Sequence, residues 1–292
     1  MTQVSVVVIG YSPPQLLSRC LAALAAQMAA HPEAEVLIVA HESHQGESLR
    51  SVRAEYAAFH WVDTPPLHNV ARMRGLGIAR SRGEVIAFIE GDCIPAADWI
   101  ERASRTQAGA VGGAVEPGDF RGGVDWAAYF CEFGKYMLPL PSTSAQLPGA
   151  NVVYRRAALP AAERLESEGF YETFVNAGIG GALVNDSTLI VRHERRWRAG
   201  AALATRFHHG RTFAALRLRG RPLRERLPYI PLAMLLPLVL VARVLGECVK
   251  RRRLVGRGIA TLPWIVALSL AWGAGELAGY AAGAGTSLER WR

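Results

Sequence analysis

Short apolar runs alternate with segments of helical periodicity along the first hundred residues. The runs lie at residues 4–9, 36–39, 59–62 and 85–89. Residues 15–30 and 68–81, which lie between them, repeat apolar positions every three or four residues, as amphipathic helices do. This alternation predicts β-α-β units and an α/β fold with a mostly parallel central sheet and flanking helices.

Polar and glycine-containing loops follow three of these strands. Residues 10–12 follow the first strand, residues 40–43 follow the second, and Glu90, Gly91 and Asp92 close the fourth. Ligands of open α/β sheets gather at the carboxyl ends of the strands. We therefore expect these three loops to face one crevice.

The middle of the chain has a less regular pattern. Apolar stretches at residues 111–115, 151–154 and 183–191 predict further strands. Residues 125–136 carry aromatic side chains at helical spacing. Such a stripe packs in a protein core more often than it forms a ligand platform, so we predict a core role for it.

Two strongly apolar segments lie near the end of the chain. Residues 227–242 contain prolines and are shorter than the roughly 20 residues that cross a bilayer, whereas residues 258–285 are long enough. Basic residues on both sides of the first segment disfavour a simple crossing, which leaves an in-plane or re-entrant segment as the alternative. Two buried helices of a soluble domain are the other interpretation. Glu276 needs a partner if it lies in a membrane, and we predict Arg243 for that role.

These patterns divide the chain into three parts. We predict an α/β domain over residues 1–211, a basic linker over 212–226 and a membrane-associated helical hairpin over 227–292.

The charge balance adds a partner to this picture. Lys and Arg number 33 against 25 Asp and Glu, and much of the excess flanks the apolar segments. Basic residues beside apolar segments favour anionic lipid headgroups, so we expect membrane lipids and no nucleic acid as partners. The four cysteines form no C-x-x-C pair and no zinc-site spacing, which favours reduced cytosolic thiols.

The two acids that follow the fourth strand are the sharpest chemical signal. Glu90 and Asp92 lie one residue apart, so their carboxylates can meet one hard cation. Mg²⁺ and Mn²⁺ prefer such oxygen ligands, often share them with a diphosphate, and neutralise charge on a leaving group. An acid-x-acid pattern alone is also typical of a solvated turn.

The order of these motifs resembles that of family 2 glycosyltransferases. The resemblance is carried by residues 4–12, 36–43, 69–79 and 83–95, and more loosely by the tail around Glu276 and Tyr280. It implies a GT-A fold, a nucleoside-diphosphate sugar donor, a divalent metal (Mg²⁺ or Mn²⁺) and inversion at the anomeric carbon.

The resemblance also implies site residues. Asp92 corresponds to a metal ligand, and Glu90 and His193 complete the predicted metal set. Arg72 and Arg74 are expected at the donor phosphates, because a guanidinium donates hydrogen bonds in parallel to oxyanions. The whole set expected to bind the donor, metal or acceptor comprises Gly10, Tyr11, Ser12, Ala40, Glu42, Arg72, Arg74, Glu90, Gly91, Asn151 and Arg211.

An inverting transfer needs a base for the acceptor hydroxyl. The family's Glu-Asp pair is absent, and Glu172 is its nearest local match. We predict Glu172 as the catalytic base together with Asp92 as the second catalytic residue; the rival bases are Asp186, Glu132 and Glu116.

Three positions depart from the family pattern. Ala40 stands where an Asp usually reads the nucleobase, Glu90 replaces the first Asp of the Asp-x-Asp motif, and Gly91 replaces a common acid. Base recognition and metal affinity are therefore expected to differ.

The function predicted from all of this is a metal-dependent, hexosyltransferase-like enzyme of cell-envelope glycan synthesis. It would move a sugar to a lipid-linked or glycan acceptor at the cytoplasmic face of the inner or plasma membrane. A non-catalytic GT-A-like binding or scaffold protein is the alternative, favoured by the departures at Ala40 and Glu90. A nucleotidyltransferase is a third reading, but no glycine-rich phosphate loop follows Ile9.

Overall fold

A mixed nine-stranded sheet forms the centre of the first of two compact units. The computed structural model describes residues 3–41, 46–65 and 69–290. The strands are β1 (Val4–Ile9), β2 (Ala34–Ala40), β3 (His60–Asp63), β4 (Val85–Glu90), β5 (Cys93–Pro95), β6 (Ala110–Pro117), β7 (Thr143–Ser144), β8 (Asn151–Arg155) and β9 (Leu183–His193).

The parallel half of the sheet is the half that the sequence predicts. Its order is β3-β2-β1-β4, all parallel, and β8, β6, β9 and β5 continue it with mixed directions while β7 pairs with β9. Every residue of β1 and β4 is buried, which explains why both strands are continuous apolar runs rather than alternating ones.

Helices cover the strands of this unit. They are α1 (Pro14–Met28), α2 (Gly46–Glu55), α3 (Val70–Arg80), α4 (Trp99–Ser104), α6 (Ala162–Glu168) and α7 (Glu172–Gly178). Asn69 begins α3 by accepting a hydrogen bond from the Arg72 amide at 3.0 Å, which is the usual role of Asn at an N-cap. The predicted helices at residues 15–30 and 68–81 are confirmed as α1 and α3.

One apolar cluster anchors α3 and the loop before α7 to the sheet. The rings of Phe88, Tyr154 and Phe170 contact one another with centroids 5.3–6.1 Å apart. All three side chains are fully buried. Because Phe170 lies two residues before Glu172, this packing also fixes where α7 begins.

The second unit contains helices only, within the described residues. It comprises residues 119–135 and 196–292, with α5 (Gly123–Phe133), α8 (Ala199–Arg217), α9 (Leu223–Arg226), α10 (Tyr229–Lys250), α11 (Val255–Ala260) and α12 (Leu262–Ala282). In the aromatic stripe of α5, Tyr129, Phe130 and Phe133 are buried as expected, and Trp126 is half-buried. The division differs from the predicted boundary at residue 211, and the three-part organisation stays a prediction.

Among the described residues, two helices, both in this unit, are long and apolar enough to cross a membrane by length and composition. They are Arg224–Lys250, which includes α10, and Leu262–Ala282. The first is longer than the apolar run of residues 227–242, because the helix continues past Arg243 to Lys250.

The predicted pair between Glu276 and Arg243 is wrong. The Glu276 carboxylate instead accepts hydrogen bonds from Trp272 Nε1 at 2.7 Å and from the Tyr280 hydroxyl at 3.0 Å, both on its own helix. The i±4 spacing places these donors on the same face as the acid.

Candidate functional site

The ends of β1, β2 and β4 meet at one edge of the sheet, as parallel pairing requires. The amide of Gly10 donates to the carbonyl of Val39 at 2.9 Å, and the amide of Gly91 donates to Ile9 at 3.1 Å. A Cβ atom at Gly10 would lie 3.0 Å from that of Ala40. The loops that the sequence places around one crevice are therefore adjacent in the structure.

Asp92 lies at the base of this edge and is fully buried. Neither of its carboxylate oxygens has a hydrogen-bond donor among the described residues. Its nearest charged neighbours are His193, with Nε2 3.9 Å from Oδ1, and Arg195, with Nη1 3.5 Å from Oδ2. A buried carboxylate without donors is costly, so the position favours an additional cation or donor.

The backbone holds His193 beside this carboxylate. Cys93 pairs with His193 in the antiparallel β5–β9 ladder, and the amide of Glu194 donates to the carbonyl of Asp92 at 2.8 Å. Sequence reasoning predicted His193 here.

Sequence reasoning did not predict Arg195. Its guanidinium lies over the ring of Tyr11, 5.4 Å from the centroid, as well as beside Asp92. It thereby connects the first loop to the acid. The signal available in the sequence was its position two residues after His193.

Buried Cys20 lies close to the same strand end, with its Sγ 3.9 Å from the carbonyl oxygen of Glu90. Burial raises the pKa of its thiol, and the negative charge of Asp92 adds to the effect. This cysteine therefore stays a neutral thiol rather than a thiolate ligand.

A second charged cluster is centred on Arg74 of α3. Its Nη2 lies 2.8 Å from Glu90 Oε1 and donates to the carbonyl of Gly149 at 3.1 Å, while Nη1 contacts Glu172 Oε1. The Arg74 side chain is 4% exposed. A Cβ atom at Gly149 would overlap Glu172, so only glycine leaves room for this contact.

This cluster bears on two of the predicted contacts. Arg74 is buried and pairs with two carboxylates, so its guanidinium is not presented to a donor phosphate. Arg72 is exposed and can be. Oε1 of Glu90 is paired with Arg74, and the role of Glu90 as a metal ligand stays a prediction.

Asn151 is likewise committed within the sheet. Its amide nitrogen donates to Ala114 at 2.8 Å and Leu189 at 2.9 Å, and its oxygen accepts from Trp99 Nε1 at 2.9 Å. With all these hydrogen bonds inside the protein, Asn151 joins three elements, and the structure gives no support for the predicted contact with an acceptor.

The remaining predicted residues are dispersed. Ser12 and Gly91 are buried and adjacent, and Tyr11 is half-buried. Arg211 belongs to the second unit, where its Nε donates to the carbonyl of Gly283 at 2.9 Å. Glu42 lies outside the described residues.

The rival bases have other surroundings. Glu116 accepts a hydrogen bond from the Leu138 amide at 2.9 Å, and Asp186 accepts one from the Thr188 hydroxyl two residues away in β9. Glu132 lies on α5 in the second unit.

The residues present fit a divalent cation with few protein ligands. Asp92 offers two buried oxygens that accept no hydrogen bond from any described residue, and His193 offers an imidazole beside them. Among the described residues, no group of three or more His, Cys, Asp or Glu side chains is arranged to hold a metal ion. Mg²⁺ commonly binds through one or two protein ligands, with substrate phosphates and water completing its shell.

Comparison with known proteins agrees with this geometry. The family model described as "Glycosyl transferase family 2" matches residues 5–159. Glycosyltransferase AglE of Haloferax volcanii is 32% identical over 119 residues, a match that spans 39% of this chain and 39% of that protein.

A solved structure shares the fold. It is mannosyltransferase PcManGT from Pyrobaculum calidifontis, in complex with GDP-Man and Mn²⁺. The TM-score is 0.54 at 17% sequence identity, and the match covers 93% of this chain and 85% of that one. The predicted fold class, an α/β GT-A fold, is confirmed.

Proposed function

Because the chain belongs to glycosyl transferase family 2, we propose that it moves a sugar with inversion from a nucleoside-diphosphate donor to a lipid-linked or glycan acceptor at the cytoplasmic face of a membrane. The observation that carries this proposal is the fully buried Asp92 carboxylate at the strand edge beside Arg195, which in turn lies over Tyr11. Within the part of the chain that the structure describes, no group donates a hydrogen bond to it.

Asp92 and His193 are the residues that would hold a Mg²⁺ or Mn²⁺ ion in this proposal. Such an ion supplies charge neutralisation at the departing diphosphate. Arg195 is positively charged, like the ion, and its Nη1 lies 3.5 Å from Oδ2 of Asp92. It is therefore placed to help neutralise the charge of the diphosphate. Exposed Arg72 is the second arginine proposed at the phosphates.

Glu172 remains our proposal for the base. It is the first residue of α7, and its contact with Arg74 holds one carboxylate oxygen while its side chain keeps 18% of its exposure. Arg74 thereby orients a carboxylate that can accept the acceptor's hydroxyl proton. This pairing with a buried arginine at the start of a helix is why we prefer Glu172 to the rival candidates.

The exposed apolar surface of the second unit supports the proposed attachment to a membrane. Between residues 232 and 239 of α10, five apolar side chains are at least half exposed: Leu232, Met234, Leu235, Leu238 and Val239. At roughly 2 kcal/mol for each fully buried side chain, covering them is worth about 6 kcal/mol. A soluble surface seldom leaves so much contiguous apolar area in water, and a bilayer would cover it.

The non-catalytic alternative rests on Glu90. In this chain its carboxylate is held by Arg74, and Ala40 offers no acid to a nucleobase. A binding protein of this kind would bind a nucleotide sugar without releasing nucleoside diphosphate.

Release of nucleoside diphosphate from membranes that contain the full-length protein tests the proposal. The assay uses Mn²⁺, a panel of GDP- and UDP-sugars that begins with GDP-mannose, and a membrane lipid extract as the acceptor source. We expect the Asp92→Ala variant to lose at least 100-fold of the activity, about 2.7 kcal/mol of transition-state stabilisation. Asp98→Ala, whose acid pairs with Arg102 on the surface, is the matched control and should keep full activity.

Two outcomes would count against it. Full activity of Asp92→Ala would remove that residue from the mechanism. Binding of a donor in a thermal-shift assay, without nucleoside diphosphate release from any donor, would favour the scaffold alternative.

A further inference from the structure

We propose that the α10–α12 hairpin lies in the surface of an anionic bilayer, with α10 facing the lipid, and that neither helix crosses the membrane. The inference rests on the membrane attachment proposed above and adds its geometry. It concerns the second unit alone.

Helix α8 packs along the C-terminal half of α12 at very short range. Cβ atoms at Gly275 and Gly279 would overlap the backbone carbonyls of Phe207 and Arg211, and one at Gly210 would overlap that of Trp272. Three glycines thus let the two backbones touch, so the contact is built into both helices.

The packed face of α8 is charged. Arg206 is 9% exposed, and its guanidinium lies 4.5 Å from the centroid of the Trp272 ring. That indole donates to Glu276, which also accepts from Tyr280. The acid of the apolar helix therefore belongs to a polar seam between α8 and α12.

The seam decides against a crossing. The 19-residue helix α8 carries three arginines and two histidines and no acid. If α12 crossed the hydrocarbon, the helix packed on it would enter too, with Arg206 and Arg211 at membrane depth. Arginine is among the side chains least tolerated there.

The other end of α12 is covered as well. Trp264 lies against Gly123 of α5, 3.1 Å from a Cβ placed there, and Arg257 of the α10–α12 turn lies 5.0 Å from the ring of Trp126. Arg251, at the end of α10, donates to the carbonyl of Lys135 at 2.6 Å. The turn is therefore fixed to α5 and is not a free loop on the far side of a membrane.

Helix α10 presents the lipid-binding face. Leu238 is 71% exposed and Met234 is 70% exposed, whereas Ala233 and Pro237 are buried, and Pro237 faces Gly273 of α12. One side of α10 thus packs on the unit, and the opposite side is apolar and open.

Basic residues mark both ends of that face and identify the lipid. Arg224 lies before α10 and Lys250 and Arg252 lie at its end, all of them exposed. A helix with an apolar face and cationic ends suits the headgroup boundary of an anionic membrane. The occupant we infer is therefore a bilayer rich in anionic lipid.

Single cysteines test the topology in membranes that contain the full-length protein. Gly256→Cys lies in the turn, with no atom within 4 Å of the new Cβ, and Ala282→Cys lies at the other end of α12. Both positions are exposed. An impermeant maleimide is applied to inverted and to right-side-out vesicles. We expect both cysteines to react in the same vesicle orientation, whereas reaction in opposite orientations would overturn the inference.

The native thiols should give little background in this test. Cys20, Cys93 and Cys248 are buried, and burial raises the pKa of the Cys20 and Cys248 thiols. The wild-type protein, with its four cysteines, serves as the blank.

Flotation of purified protein with vesicles tests the lipid face. The vesicles are phosphatidylcholine alone, or phosphatidylcholine with one quarter phosphatidylglycerol. We expect the anionic vesicles to bind at least tenfold better, and Leu235→Glu/Leu238→Glu to abolish binding. Ala204→Glu, on an exposed position of α8, is the matched control. Equal binding to both vesicle types, or unchanged flotation of the double variant, would contradict the inference.

These results are independent of the catalytic proposal. Opposite-side labelling with normal nucleoside diphosphate release would refute the in-plane hairpin alone. Same-side labelling in a protein that never releases nucleoside diphosphate would refute the transferase alone.

Discussion

The replacement of Arg74 by methionine tests the charged cluster most directly. The wild-type guanidinium neutralises two carboxylates, that of Glu90 at 2.8 Å and that of Glu172 in direct contact. The exposed fraction of the side chain is 4% for Arg74, 11% for Glu90 and 18% for Glu172. Methionine fills much of the volume but leaves both acids without a cation. Breaking a buried pair by removing one partner costs about 3–5 kcal/mol, a large share of the roughly 5–15 kcal/mol that holds a typical protein folded.

Chemical denaturation of the full-length protein in mild detergent, followed by tryptophan fluorescence, gives the free energy of unfolding. Arg80→Met is the matched control on the same helix, because Arg80 pairs with Glu166 at 3.1 Å where both side chains are well exposed. The free energy of unfolding lost in Arg80→Met should stay below about 1 kcal/mol. Adding Glu90→Gln and Glu172→Gln to Arg74→Met should recover most of the loss, since no buried charge then remains. An Arg74→Met loss no larger than that of the control would refute the reasoning.

Two further predictions concern the second unit. Gly275→Ala should destabilise the protein by about 1–3 kcal/mol in the same denaturation assay, because its Cβ overlaps Phe207, whereas Gly256→Ala has open space and should not. Burial, with Arg243 and Arg206 nearby, lowers the pKa of Lys135 from 10.5 to about 8. The unfolded state therefore binds more protons between these values, so stability should rise as pH increases from 8 to 10.5, by roughly 3 kcal/mol. The melting temperature measured between pH 8 and pH 10.5 should follow this rise in the wild-type protein and should rise less in Lys135→Met. The same pH profile in both proteins would contradict the prediction.

The strand edge could be predicted from the sequence because its signals are local. The fully buried strands β1 and β4 read as apolar runs, and the loops that follow them contain Gly10 and Asp92. Parallel pairing then brings the loops together without further information.

The Arg74 cluster could not be predicted in that way. Its three members come from α3, the end of β4 and the start of α7, and 82 residues separate Glu90 from Glu172 in the chain. Which two acids share one arginine depends on how α3 and α7 pack. The apolar periodicity of each helix does not predict that packing. The sequence therefore assigned Arg74 to phosphate, although the structure surrounds it with carboxylates.

The prediction of Arg243 as the partner of Glu276 was wrong for a different reason. Because Glu276 lies in a long apolar run, we expected its charge to be paired with a cation on another helix. Its hydrogen-bond donors are instead Trp272 and Tyr280, which lie four residues before and after it. The i±4 rule for helices contains that answer, so this miss was avoidable.

Holding two acids with one arginine also constrains how this site can evolve. An aspartate at position 90 would withdraw its carboxylate by one methylene from Arg74, and any side chain at position 149 would displace Glu172. Positions 74, 90, 149 and 172 should therefore vary together among relatives. A lineage that restores an aspartate at position 90 should also be free to lose the arginine at 74, and an alignment deep enough to contain both types would record the exchange as a correlated change.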